Sequence, residues 1–215
     1  MKRFNQFFTV IFIILCSLLV SSTSYAIPLS FEGVDPYEIA STNAGGVYAG
    51  IYNLEVGEDA VAYDSFCIDF YQHIYQGTFD NYKFESLNDI FPSSTHPDVA
   101  DYIAELWFDN YSNAMNNSQV AAGLQIAIWE VTIDINHDVS NGNFFISSGS
   151  NYGAQEMLEK LDGEDFASLT AITNSKYQDF VIGNQPVPEP ASMLLFGTGI
   201  IGLAAFTRRK LYFKK

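Results

Sequence analysis

The chain has 215 residues, is 48% hydrophobic and carries a formal net charge of −15 at pH 7. All 25 acidic residues fall between Glu32 and Glu189, where Lys83, Lys160 and Lys176 are the only basic ones, so that stretch has a net charge of −22. Such a surface repels phosphate backbones and anionic lipid, which excludes nucleic acid as a partner, and its plain role is solubility outside the cell.

The first segment reads as a secretory signal. Lys2 and Arg3 are followed by an apolar run over 7–20, interrupted only by Thr9, Cys16 and Ser17. Ser24-Tyr25-Ala26 then places small residues at the −3 and −1 positions of a cleavage site, so signal peptidase is expected to remove residues 1–26. Lipid attachment is not expected, because Cys16 sits in mid-run and Leu15 before it is not small.

Residues 27–185 are long enough for one domain with a sizeable core. Gly45 and Gly46 punctuate before the strand-like 47–52, Gly57-Glu58-Asp59 reads as a turn, and 61–71 is rich in aromatic and β-branched residues. If that run is one strand, Phe66, Ile68 and Phe70 share one face, while Cys67, Asp69 and Tyr71 share the other. Residues 77–81 read as a further turn. The middle reads as helix. Pro97 suits a first turn, and Val99, Ile103, Leu106 and Trp107 recur at helical spacing. Asn117 or Ser118 can cap a second helix with the apolar stripe Ala121, Leu124, Ile128 and Val131. Residues 140–151 read as loop, 154–161 as a short helix and 177–182 as a last strand.

The tail changes character at Val187. Pro188 and Pro190 forbid a continuing helix or a central strand. An apolar stretch of 16 residues follows over 191–206, short for a full span, and Arg208, Arg209 and Lys210 stop it. The basic cluster would stay cytoplasmic and leave the body outside. The fold expected is therefore α+β: a β-rich, sandwich- or barrel-like domain with a helical middle, between a signal peptide and a single transmembrane helix.

The Val187-Pro188-Glu189-Pro190 tetrad, the short apolar helix and the basic end resemble, in that order, the PEP-CTERM sorting domain. The resemblance covers residues 186–215. It implies recognition by an exosortase, a membrane protease-transpeptidase. It also implies transient anchoring in the inner membrane, then release or transfer to the surface or extracellular matrix of a Gram-negative, biofilm-forming bacterium.

Once the signal is removed, Cys67 is the only cysteine, so no internal disulfide can form. His73, His96 and His137 have no paired ligand spacing, which argues against zinc. Asp134-x-Asn136-x-Asp138 resembles the start of a calcium loop but lacks the following Gly and the distal Glu, so no metal ligand and no cofactor are assigned.

Phe66-Cys67-Ile68 and Leu124-Gln125-Ile126-Ala127-Ile128-Trp129 resemble the two signatures of bacterial thioester domains. In those adhesins a cysteine in the strand-rich part and a glutamine on a helix condense into an internal thioester with loss of ammonia. The chemistry needs a thiolate, a carboxamide and shelter from water. The resemblance implies Cys67 and Gln125 as the reacting pair and an amine-bearing surface target as partner. Asp69, on the Cys67 face of an extended strand, could assist proton transfer. Three readings follow: a covalent adhesin; a non-covalent structural or carbohydrate-associated matrix protein with an inert cysteine; and, weakest, a Cys-dependent hydrolase. Catalytic turnover is not expected.

Overall fold

A long hairpin begins at the residue expected to follow the cleaved signal. In the computed structural model, which describes residues 26–134 and 136–183, β1 (Ile27–Thr42) pairs antiparallel with β2 (Gly45–Val56), from Leu29 opposite Val56 to Thr42 opposite Gly45. Register shifts between Phe31 and Gly33 and between Val34 and Tyr37 absorb Gly33 and Pro36, which an even ladder would not tolerate. This strand was not foreseen, because those two residues and the scattered acids obscure its alternation.

Four more strands complete a ring: β3 (Val61–Cys67), β4 (Gly77–Glu85), β6 (Leu169–Thr173) and β7 (Phe180–Gly183). The order β2-β3-β7-β6-β4-β1, together with the β1–β2 pairing, closes six antiparallel strands on themselves. Closure leaves no unpaired edge on these strands, and the two broad alternatives of sandwich and barrel resolve to a barrel. The short β5 (Ile146–Ser148) adds to the far end of β1 at Ser41 and Thr42.

Helices α1 (Leu87–Ile90), α2 (Val99–Ala114), α3 (Ser118–Ile133) and α4 (Ala154–Leu158) fall among the later strands. In α3 every residue from Ala121 to Val131 is buried. A helix buried on all sides belongs at the centre, and α3 packs against β1, β2, β3, α2 and α4. Asn117 caps it, its side chain accepting from the Gln119 and Val120 N–H groups. A Cβ on Gly123 would lie 2.3 Å from the Tyr152 carbonyl oxygen, so only glycine lets the segment before α4 approach so closely.

Several expected elements move. The 61–71 run stops being a strand at Cys67, so the alternation of faces does not extend to Asp69 or Tyr71. Residues 77–81 open β4 rather than forming a turn. Pro97 lies before the cap Asp98, outside the first turn of α2. The last strand starts at Phe180 and is preceded by the unforeseen β6. The signal peptide and the apolar tail lie outside the described residues. Among the described residues no helix is long and apolar enough to cross a membrane.

Candidate functional site

Cys67 is the last residue of β3. The β2–β3 ladder ends with Tyr52 opposite Ser65, two residues short of Cys67. The main chain of Cys67 therefore faces α3 instead of a strand. Gln125 fills the gap. Its Oε1 accepts the Cys67 N–H at 2.8 Å, and its Nε2 donates to the Cys67 carbonyl at 2.8 Å. A side-chain carboxamide thus takes the place of one peptide unit of a missing strand. Both residues have no solvent exposure. The two residues that the sequence singled out, 58 positions apart, are brought into direct contact.

The thiol itself has a separate shell. Its sulfur accepts from Gln178 Nε2 at 2.7 Å and donates to the Asp69 carbonyl at 3.1 Å. Burial pushes the Cys67 thiol up to about 12; the Asp69 charge adds to this, while the Trp129, Asp69 main-chain and Gln178 hydrogen bonds partly oppose it. The Trp129 indole nitrogen has no well-formed partner of its own. Cys67 stands opposite Phe180, whose ring meets Tyr52 at 5.5 Å, and Tyr52 meets Phe31 at 5.7 Å. The neighbours Phe66 and Phe70 pack edge-on against Trp107 at 5.5 Å and Trp129 at 5.1 Å. Barrel and helices together exclude water from both sides of the end of β3.

Asp69 does not sit as a strand alternation would place it. Its carboxylate accepts from the Tyr71 and Gln72 N–H groups at 3.1 and 3.3 Å, closing the loop after β3. Its contact with the thiol runs through its main-chain oxygen, which corrects the reading of a carboxylate aimed at the sulfur. Asp179 was not foreseen. Burial, then the Asp69 and Glu85 charges, push its carboxyl up to about 6 against an opposing hydrogen bond from Asn174 N–H. A cleft of about 360 Å³ opens one residue beyond Cys67, lined among others by Ile68, Asp69, Phe70, Phe91, Ile133 and Asp179. Gln178 was missed as well; it carries no local signal, being one polar residue in a loop between two strands.

The sorting residues Val187, Pro188, Glu189 and Pro190 and the basic stop Arg208, Arg209 and Lys210 lie outside the described residues, and there the sequence itself decides. The chain carries a PEP-CTERM protein-sorting motif over residues 186–210. The motif implies an exported protein that is sorted by an exosortase, its partner at the membrane. It covers the tail and leaves the barrel unassigned. No curated protein and no solved structure matches the chain.

Proposed function

We propose that this exported protein is a covalent adhesin of the cell surface or extracellular matrix, in which Cys67 and Gln125 form an internal thioester that captures a primary amine. The observation that carries this reading is the grip of Gln125 on the Cys67 main chain, at 2.8 Å through each end of the carboxamide, in a site closed to water. Attack of the Cys67 sulfur on Gln125 Cδ forms the S–C bond. The Cys67 N–H on Oε1 is placed to stabilise the oxyanion that develops there. The C–N bond then breaks, and Nε2 leaves as ammonia carrying the thiol proton. A primary amine later attacks the same carbon, forming an amide at Gln125 and restoring the Cys67 thiol. Exclusion of water keeps the activated acyl group from hydrolysis. The cleft beginning at Ile68 is the side from which an amine can approach. This chemistry is a single attachment and not turnover.

A second reading has its own support. Both polar ends of Gln125 are already satisfied by Cys67, and condensation would break the bond from Nε2 to the Cys67 carbonyl. On this reading the pair is a buried structural clamp in a non-covalent matrix protein.

Incubation of the full chain with a fluorescent primary amine separates the two. The adhesin reading expects one label per chain, mapped to Gln125, with a newly titratable Cys67 and no labelling in Cys67→Ala. Absence of label from freshly purified, amine-free protein rules the thioester out and leaves the clamp.

A further inference from the structure

The run over 110–117 reads Asn-Tyr-Ser-Asn-Ala-Met-Asn-Asn, with asparagine at 110, 113, 116 and 117. Asparagine is a poor helix former, because its side chain competes for main-chain groups, so each one at the end of a helix needs a reason of its own. Two of them have one inside the fold. Asn110 donates its Nδ2–H to the Leu106 carbonyl at 2.9 Å, and Asn117 caps α3 through its Oδ1. Asn113 and Asn116 are exposed, and their side chains make no hydrogen bond among the described residues.

All four line one pocket of about 470 Å³, between the end of α2, the start of α3 and the α4 turn. That volume lies in the range of about 300–1,000 Å³ usual for small-molecule sites. The turn that carries the amides is fixed by main-chain bonds, from Asn116 N–H to the Asn113 carbonyl and from Asn117 N–H to the Ala114 carbonyl, both at 3.3 Å. Val120 and Met157 give the pocket an apolar patch. Glu156 and Lys160, of opposite sign, are the only charged residues that line it. The pocket is thus neutral on a body with a net charge of −22. The runs 110–129 and 139–155, which meet there, contain no Asp, Glu, Lys or Arg.

We propose that this pocket binds a neutral pyranose sugar, its hydroxyls on the amides of Asn113, Asn116 and Asn117 and its C–H face on Val120 and Met157. A carboxamide offers two donors and an acceptor without charge, which matches hydroxyls that both donate and accept. A few polar groups set around an apolar patch are the usual make-up of such a site. The acidic body repels an anionic sugar, and Lys160 inside the pocket opposes a cationic one. Binding here is non-covalent and does not depend on whether Cys67 and Gln125 condense, so it gives the protein a separate hold on a polysaccharide.

Saturation-transfer NMR on the full chain, kept in a detergent without a sugar headgroup, tests this. The probes are the methyl glycosides of glucose, galactose, mannose and N-acetylglucosamine, with galacturonic acid as the charged control. The expected result is saturable transfer to at least one neutral glycoside at millimolar concentration and none to galacturonic acid. Joint replacement Asn113→Ala and Asn116→Ala should weaken binding about tenfold, the loss of one or two hydrogen bonds, while circular dichroism and Tm stay those of the parent. Ser112→Trp, which fills the pocket from an exposed position on α2, should abolish the transfer as well. Transfer to none of the neutral glycosides overturns the proposal. So does transfer that these variants leave unchanged, or that galacturonic acid equals.

Discussion

Gln178 donates its Nε2–H to the Cys67 sulfur at 2.7 Å, and its own main-chain oxygen accepts the Tyr82 hydroxyl at 3.0 Å. The thiol is therefore held from β4 and the β6–β7 loop as well as from its own strand. A sulfur so enclosed, with its thiol pushed up to about 12, carries almost no thiolate near neutrality. When Cys67 is uncondensed, iodoacetamide at about pH 8 is expected to modify it about a thousandfold more slowly than an unperturbed thiol, since the thiolate fraction falls by that factor. Unfolding in urea should restore the ordinary rate. Rapid alkylation of the folded protein would contradict the closed site.

Removal of Gln125 is expected to be harsher than removal of the thiol. Relative to the uncondensed pair, Gln125→Ala strands a buried N–H and a buried carbonyl of Cys67, at about 1–3 kcal/mol each, so a loss of about 2–6 kcal/mol is expected. Cys67→Ala keeps that main-chain pairing and removes one small buried group together with its two weak sulfur hydrogen bonds, from Gln178 Nε2 and to the Asp69 carbonyl, at about 1–2 kcal/mol. Urea denaturation of both variants checks the order, and equal losses would show that the carboxamide does not complete the ladder. The sequence reveals the pair but not that Gln125 replaces a strand.

Asp179 sets a pH dependence. Its carboxyl lies near 6, raised by burial and by Asp69 and Glu85, so the folded state holds the proton more tightly than the unfolded state. Its contribution to stability is present in acid and lost as pH rises from about 4 through about 6. Asp179→Asn retains an acceptor for the Asn174 N–H and removes the repulsion. Its Tm should exceed that of the parent at about pH 7.5, with the gap closing toward about pH 4. A gap that is constant across this range would remove the charge as its cause.

The apolar character of α3 is plain in the sequence, as is the isolation of Cys67, because composition alone carries both signals. The barrel is much less legible. β1 is disguised by Gly33 and Pro36, which its register shifts absorb. β6 and β7 are only five and four residues long and owe their strand state to neighbours far away in the chain. Gln178 acts through contacts across 96 and 111 positions, which no local pattern records.

The tail makes its own prediction. Replacement of Pro188, Glu189 and Pro190 by Ala removes the Pro-Glu-Pro core of the matched motif while keeping the apolar stretch and the basic stop. The variant is expected to remain in the inner-membrane fraction, whereas the parent reaches the surface without peptides from the basic end. Unchanged surface release of the variant would show that sorting does not read the tetrad.

The central claim is that Cys67 and Gln125 condense. Intact mass spectrometry of fresh protein, purified without amines or reductant, reads this directly. The account predicts a mass about 17 Da below that of the processed sequence, the ammonia lost on condensation, restored to the full sequence mass in both Cys67→Ala and Gln125→Ala after allowing for each substitution. Parent protein at full sequence mass, with Cys67 titrating as a free thiol once unfolded, would contradict it.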